Sequence, residues 1–94
     1  MTLLQLQYFK TLAHVLHYTQ AAAQLHIAQP SLSYSIKELE KELGVKLFEK
    51  DSRHVRLTIY GEQFLPYAER ALSMLDEGVG VLQQMAEPAQ QVVR

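Results

Sequence analysis

His14 and His17 stand three apart in the first twenty residues. On a helix that spacing brings two rings to one side, which is how a metal site begins. A zinc centre needs three or four ligands of the right type. The chain has no cysteine, and no clustered carboxylate completes the pair. Thiolate metal sites, disulfides and cysteine nucleophiles therefore drop out together. The two histidines read as surface or packing residues, and no metal or cofactor is expected. No nucleophile–base pair and no phosphate-binding glycine loop is visible, so an enzyme is the weakest reading of the chain.

A different chemistry is written into AQPSLSYSIKELE, residues 28 to 40. No acidic residue occurs from Met1 until Glu38. With Leu32, Ile36, Leu39 and Leu43 turned inward at helical spacing, Pro30, Tyr34, Lys37 and Lys41 point outward, flanked by Ser31 and Ser33. This surface offers an amide, hydroxyls, a phenol and a lysine. Such groups read base edges or hold a phosphodiester backbone. Gln29 can pair with adenine in a major groove and is the first candidate reader. Ala28 and Gln29 are poor caps, which would leave first-turn N–H groups free for a phosphate. Lys41 reads more simply as a partner of Glu40, Glu38 or Glu42 on a solvated face, and Lys37 less so.

Four helices and a hairpin must position these groups. Residues 2–16 read as a helix opened by a Thr2/Gln5 capping box, with Leu6, Phe9, Ala13 and Leu16 as its buried stripe. Thr19 reads as the N-cap of a short second helix that ends near His26. Histidine there must take the left-handed turn conformation that glycine adopts most easily. Pro30 suits the first position of a third helix, and Gly44 closes it. Two short helices joined tightly in this way make a helix-turn-helix. Segments 46–49 and 54–57 around a polar KDSR turn read as a β-hairpin. The hairpin makes the unit a winged helix-turn-helix.

Thr58 caps a long fourth helix expected to run to about Ala86, where Glu87–Pro88 should stop it. Leu65, Ala68, Leu72, Leu75, Val79, Leu82 and Ala86 recur as a heptad seam. Nearly thirty residues span about 43 Å, too long for so small a domain to bury. The better reading is a homodimer, paired antiparallel through Leu65, Ala68, Leu72, Leu75, Val79 and Leu82. Pro66, Gly78 and Gly80 are expected weak points.

Charge alone does not announce a DNA-binding protein, since the formal net charge is −1. Its distribution is more informative. Residues 1–60 carry seven Lys/Arg against five Asp/Glu, and residues 61–94 carry two against five. No stretch has the length of a signal peptide core or a membrane span, so a cytoplasmic place is expected.

LQYFKTLA near the start, then YTQAAAQLHIAQPSLSYSIKELEKELGVKLFEK, then RHVRLTIYGEQFL resemble the LysR-type transcriptional regulators of bacteria over residues 3 to 86. The resemblance implies a mainly α fold: a winged helix-turn-helix over 1–58, a linker and dimerisation helix over 59–86, and a hinge over 87–94 leading to an effector-binding domain outside these residues. It implies binding of double-stranded promoter DNA in the bacterial nucleoid, a homodimer that assembles further, and a small-molecule effector bound only by that other domain. By position, Gln29, Pro30, Ser31 and Ser33 match the start of the family's recognition helix. Thr19 matches the cap near the DNA backbone, Lys37 a common basic position, and Arg53 a wing arginine that reaches toward the minor groove. Tyr34 stands where an arginine is common and is expected to touch DNA. Ala28 replaces a common serine, Lys50 a common arginine, and Asp51 places a negative charge in the wing. A protein-interaction module is the runner-up reading, and the carboxylate-free face of residues 28–37 argues against it.

Overall fold

The computed structural model describes the backbone of residues 1–92 and the side chains through Glu87. The order is α1 (Leu3–Val15), α2 (Tyr18–Leu25), α3 (Gln29–Leu43), β1 (Phe48–Asp51), β2 (His54–Leu57) and α4 (Ile59–Val92). Three helices, a two-stranded antiparallel wing and a long exit helix make the expected winged helix-turn-helix with its linker.

The capping box forms as read. The Thr2 side chain accepts from the Gln5 N–H, and the Gln5 side chain accepts from the Thr2 N–H. Leu16 ends α1 in the left-handed conformation at φ 58°, an uncommon place for a leucine. The second helix starts differently from expectation. Its N-cap is His17, whose Nδ1 accepts from the Gln20 N–H at 3.2 Å. Thr19 is therefore inside the helix and exposed. A neutral imidazole nitrogen is a competent acceptor, and it displaced the hydroxyl that cap preferences favour. His26 closes α2 at φ 60°, the strained turn the sequence required.

Phe9 lies at the centre of the core. Its ring meets Phe48 edge-on at 5.6 Å and Phe64 at 5.5 Å, joining α1, the wing and α4. Leu12, Leu32, Ile36, Leu39 and Leu47 complete the fully buried set. Glu40 is buried as well, and is not the solvated partner of Lys41 that its helix suggested. Its carboxylate accepts the N–H groups of Leu47 at 2.7 Å and Phe48 at 3.2 Å. Those two charge-assisted bonds offset the cost of burying it.

The same bonds shift the wing. The expected first strand at 46–49 begins only at Phe48, because Lys46 and Leu47 serve other partners. The Lys46 carbonyl accepts the Thr58 hydroxyl, and the Leu47 carbonyl accepts the Thr58 N–H. The strands pair Phe48 with Leu57 through Asp51 with His54, leaving Ser52–Arg53 as a two-residue loop. Ser52 takes φ 61° there.

Thr58 caps α4 through its hydroxyl, which accepts from the Gly61 N–H at 3.2 Å. Gly61 is buried, and a Cβ added there would collide with the Leu47 carbonyl. The helix passes Pro66, Gly78 and Gly80 unbroken and runs on to Val92, beyond the stop expected at Glu87–Pro88. A proline withdraws one ladder bond without dictating where a helix ends. The expected hinge is thus helical through Val92, and its remainder, residues 93–94, lies outside the described residues.

Candidate nucleic-acid interface

The face of α3 is as the periodicity assigned it. Gln29, Pro30, Ser31, Tyr34 and Lys37 are exposed and Ser33 is partly so, while Leu32, Ile36 and Leu39 are buried. The N-terminus of α3 has no side-chain cap bond, as expected from Ala28. The supply of free donors is smaller than expected. Pro30 has no N–H, and the N–H groups of Ser31 and Leu32 both donate to the Ala28 carbonyl, at 3.0 and 3.2 Å. Gln29 alone remains to offer a first-turn backbone donor to an anion.

The wing folds toward this helix and encloses a groove of about 540 Å³. Gln29, Ser33 and Lys37 line one wall, and Lys46, Lys50 and Arg53 line the other. Four basic side chains thus converge in a chain whose net charge is −1. Glu40 is the one carboxylate in the lining, and its Oε2 is already engaged by two backbone donors. Tyr18 completes the floor. Burial first, and the negative charge of Glu40 second, push its phenol up to about 12. It stays neutral at any ordinary pH and adds no charge that would repel phosphate.

Of the residues singled out by sequence, the structure therefore brings Gln29, Ser33, Lys37 and Arg53 into one groove. Thr19, Pro30, Ser31 and Tyr34 lie exposed outside its lining. Lys46 and Tyr18 line it without having been singled out for it, and His54, beside Arg53 in the wing, lines it too. Lys50 does so too, although the sequence marked it only as a departure. Strand alternation carried a usable signal, since Lys50 and Val55 are cross-strand partners and share one face. Asp51 falls outside the groove lining, as does Glu49, which pairs with Arg56 at 3.1 Å. The negative charge that Asp51 places in the wing is thus not part of the groove lining.

Elsewhere, His14 bonds Glu69 at 2.7 Å and ties α1 to α4. The His17 and His54 rings meet edge-on at 5.2 Å where the helices join the wing. No group of three or more potential metal ligands occurs among the described residues. Among them, no helix is long and apolar enough to cross a membrane.

On α4 the seam is divided. Ala68 and Leu72 are only 1% and 8% exposed, covered by the chain's own core, and Leu65 is packed against that core. Leu75, Val79 and Leu82 are exposed.

The pattern of the bacterial regulatory helix-turn-helix proteins of the lysR family matches residues 3–62. The chain belongs to the LysR family. Among LysR relatives, an uncharacterized regulator of Bacillus subtilis, YybE, is 44% identical over 89 residues, covering 95% of this chain and 30% of its own length. The regulator AlsR of the same organism is 42% identical, covering 96% of this chain and 30% of its own length. The chain thus spans about a third of these relatives. Its backbone is also similar to a LysR DNA-binding domain solved alone, that of BenM in complex with catB site 1 DNA. The TM-score is 0.87 at 42% identity, over 92% of this chain and 97% of that one.

Proposed function

We propose that this chain is the operator-reading module of a LysR-type transcriptional regulator, binding double-stranded promoter DNA with sequence preference. The observation that carries the reading is the basic groove between α3 and the wing in a chain without net positive charge. It is supported by the likeness to a domain solved on DNA. In this reading α3 enters the major groove, where Gln29, Ser33 and Tyr34 meet base edges. Thr19, Pro30 and Ser31 lie along the backbone, beside Lys37. Arg53, at the tip of the wing, reaches the neighbouring minor groove, and Lys46 and Lys50 hold the phosphates between. Residues 1–58 form the reading unit, 59–86 the dimerisation helix, and 87–94 lead toward an effector-binding domain. The module acts as a homodimer in the bacterial cytoplasm, on the nucleoid, and carries out no catalysis.

Selection from a random double-stranded DNA pool at moderate salt tests this. An enriched inverted repeat, with affinity falling steeply as salt rises, is the expected result. Binding indifferent to salt, or no binding, would overturn it.

A further inference from the structure

Where the helices join the wing, the backbone sets two histidines side by side. The Val55 N–H donates to the Leu16 carbonyl at 3.2 Å. The residues next to that bond, His17 and His54, meet edge-on with ring centroids 5.2 Å apart. The two rings have different surroundings. His17 is partly buried, and its Nδ1 accepts from the Gln20 N–H as the cap of α2. A ring nitrogen that accepts carries no proton, so His17 is neutral and its hydrogen sits on Nε2. His54 lies on β2, is exposed, and lines the basic groove.

We propose that His54 is a DNA-backbone contact that takes up a proton when a phosphate enters the groove, and that His17 is the positioning residue that holds its ring there. The inference rests on the DNA-binding reading above and adds a proton to it. The cap bond decides which ring takes that proton. Protonating His17 would break its bond with the Gln20 N–H and uncap α2. His54 caps no helix and is free to charge. The edge-to-face contact fixes the orientation of its ring.

The charges around His54 decide when. Asp51 is its cross-strand partner. Lys46, Lys50 and Arg53 share the groove lining with it, as do Lys37 and Glu40 of α3 and Tyr18 of α2. Four cations thus stand against two carboxylates, and one of these, Glu40, is engaged by the N–H groups of Leu47 and Phe48. Tyr18 stays neutral. Arg56, farther along β2, is paired with Glu49, and His14 of α1 with Glu69 of α4. An imidazolium at residue 54 therefore lies among like charges in the free chain. A phosphodiester in the groove supplies the opposite charge that favours it. The lysines are charged before and after DNA arrives and make affinity depend on salt. A histidine charged only in the complex makes affinity depend on pH too. The complex holds a proton that the free chain lacks, so affinity rises as pH falls through the imidazole range.

Fluorescence anisotropy with a mixed-sequence DNA duplex at constant ionic strength tests this, since a phosphate contact needs no particular operator. The parent should bind about threefold to tenfold tighter at about pH 6 than at about pH 8. His54→Gln should lose most of that gain. His54→Lys, charged throughout, should bind alike at the two pH values. His17→Asn keeps a cap acceptor, removes the ring, and should lose part of the gain. The full gain in that variant would contradict the positioning role. Calorimetry in buffers of different ionisation enthalpy should show proton uptake on binding by the parent and less by His54→Gln. A purely structural role for His54 would move neither the pH profile nor the proton uptake. A parent that binds equally at both pH values, or a gain that His54→Gln keeps in full, would overturn the inference and leave DNA binding standing. A parent that binds the duplex at neither pH would overturn the DNA-binding reading, and this inference with it.

Discussion

The N–H of Val55 donates to the carbonyl of Leu16 at 3.2 Å. Val55 lies on the wing and Leu16 is the C-cap of α1, so an outer-edge N–H of the two-stranded sheet is paired by the end of the first helix. The left-handed turn at Leu16 presents that carbonyl. An isolated hairpin is marginal in water, and this bond explains how one holds its place. By amide hydrogen exchange, Val55 should be protected far more than Ser52 and Arg53 in the loop. Exchange as fast as theirs would show that the wing detaches.

Glu40 should be the costliest polar side chain to remove. Glu40→Ala leaves the Leu47 and Phe48 donors unanswered inside the fold and should cost about 2–4 kcal/mol by urea unfolding. Glu40→Gln keeps one acceptor oxygen and should cost less. Equal losses would mean that the hydrogen bonds matter little beside the packing.

Gly61→Ala places a methyl group against the Leu47 carbonyl and the Leu57 side chain. Backbone cannot yield there without moving the wing, so a loss of about 1–3 kcal/mol is expected in thermal unfolding. An unchanged midpoint would contradict the close approach. His26→Gly should act in the opposite direction, by under about 1 kcal/mol. Its exposed side chain is held at φ 60° and contributes no buried contact.

Tyr18 sets an alkaline limit. Burial first, and the charge of Glu40 second, push its folded phenol up to about 12 from the ordinary 10.0. Below pH 10 both states keep the proton and stability is unaffected. Between pH 10 and about 12 the unfolded chain loses a proton that the folded chain keeps, so stability falls as pH rises. Tyr18→Phe should lose less stability than the parent between pH 8 and 11. An identical loss would assign the alkaline sensitivity to other groups.

On a selected DNA site, Gln29→Ala should cost roughly 1–3 kcal/mol and relax preference at one base pair. Lys50→Gln should weaken all sequences alike and lower the salt slope by about 1. Uniform loss for Gln29→Ala, in a competition assay, would remove it from the readers.

Periodicity and cap chemistry made most of the fold legible. Leu32, Ile36 and Leu39 declared the inner face of α3, and Thr2 with Gln5 declared where α1 starts. The misreadings share one cause, which is a partner that neither helical period nor cap preference names. Glu40 looks solvated beside Lys41 until Leu47 and Phe48 fold back over it. Thr19 looks like the better cap until the His17 ring turns to Gln20. Ala68 and Leu72 continue a heptad faultlessly, but a heptad does not say whose surface it will meet. The recognition face was legible because it lies on one helix. The basic groove was not, because Lys46 and Lys50 join it only through the wing.

Thr58 binds the wing to α4 three times: its hydroxyl donates to the Lys46 carbonyl and accepts from Gly61, and its N–H donates to Leu47. The joint therefore has no free swivel. The 34-residue helix, about 51 Å long, leaves the domain as a lever welded at its base. A twist applied at the far end must arrive as rotation of the whole reading head.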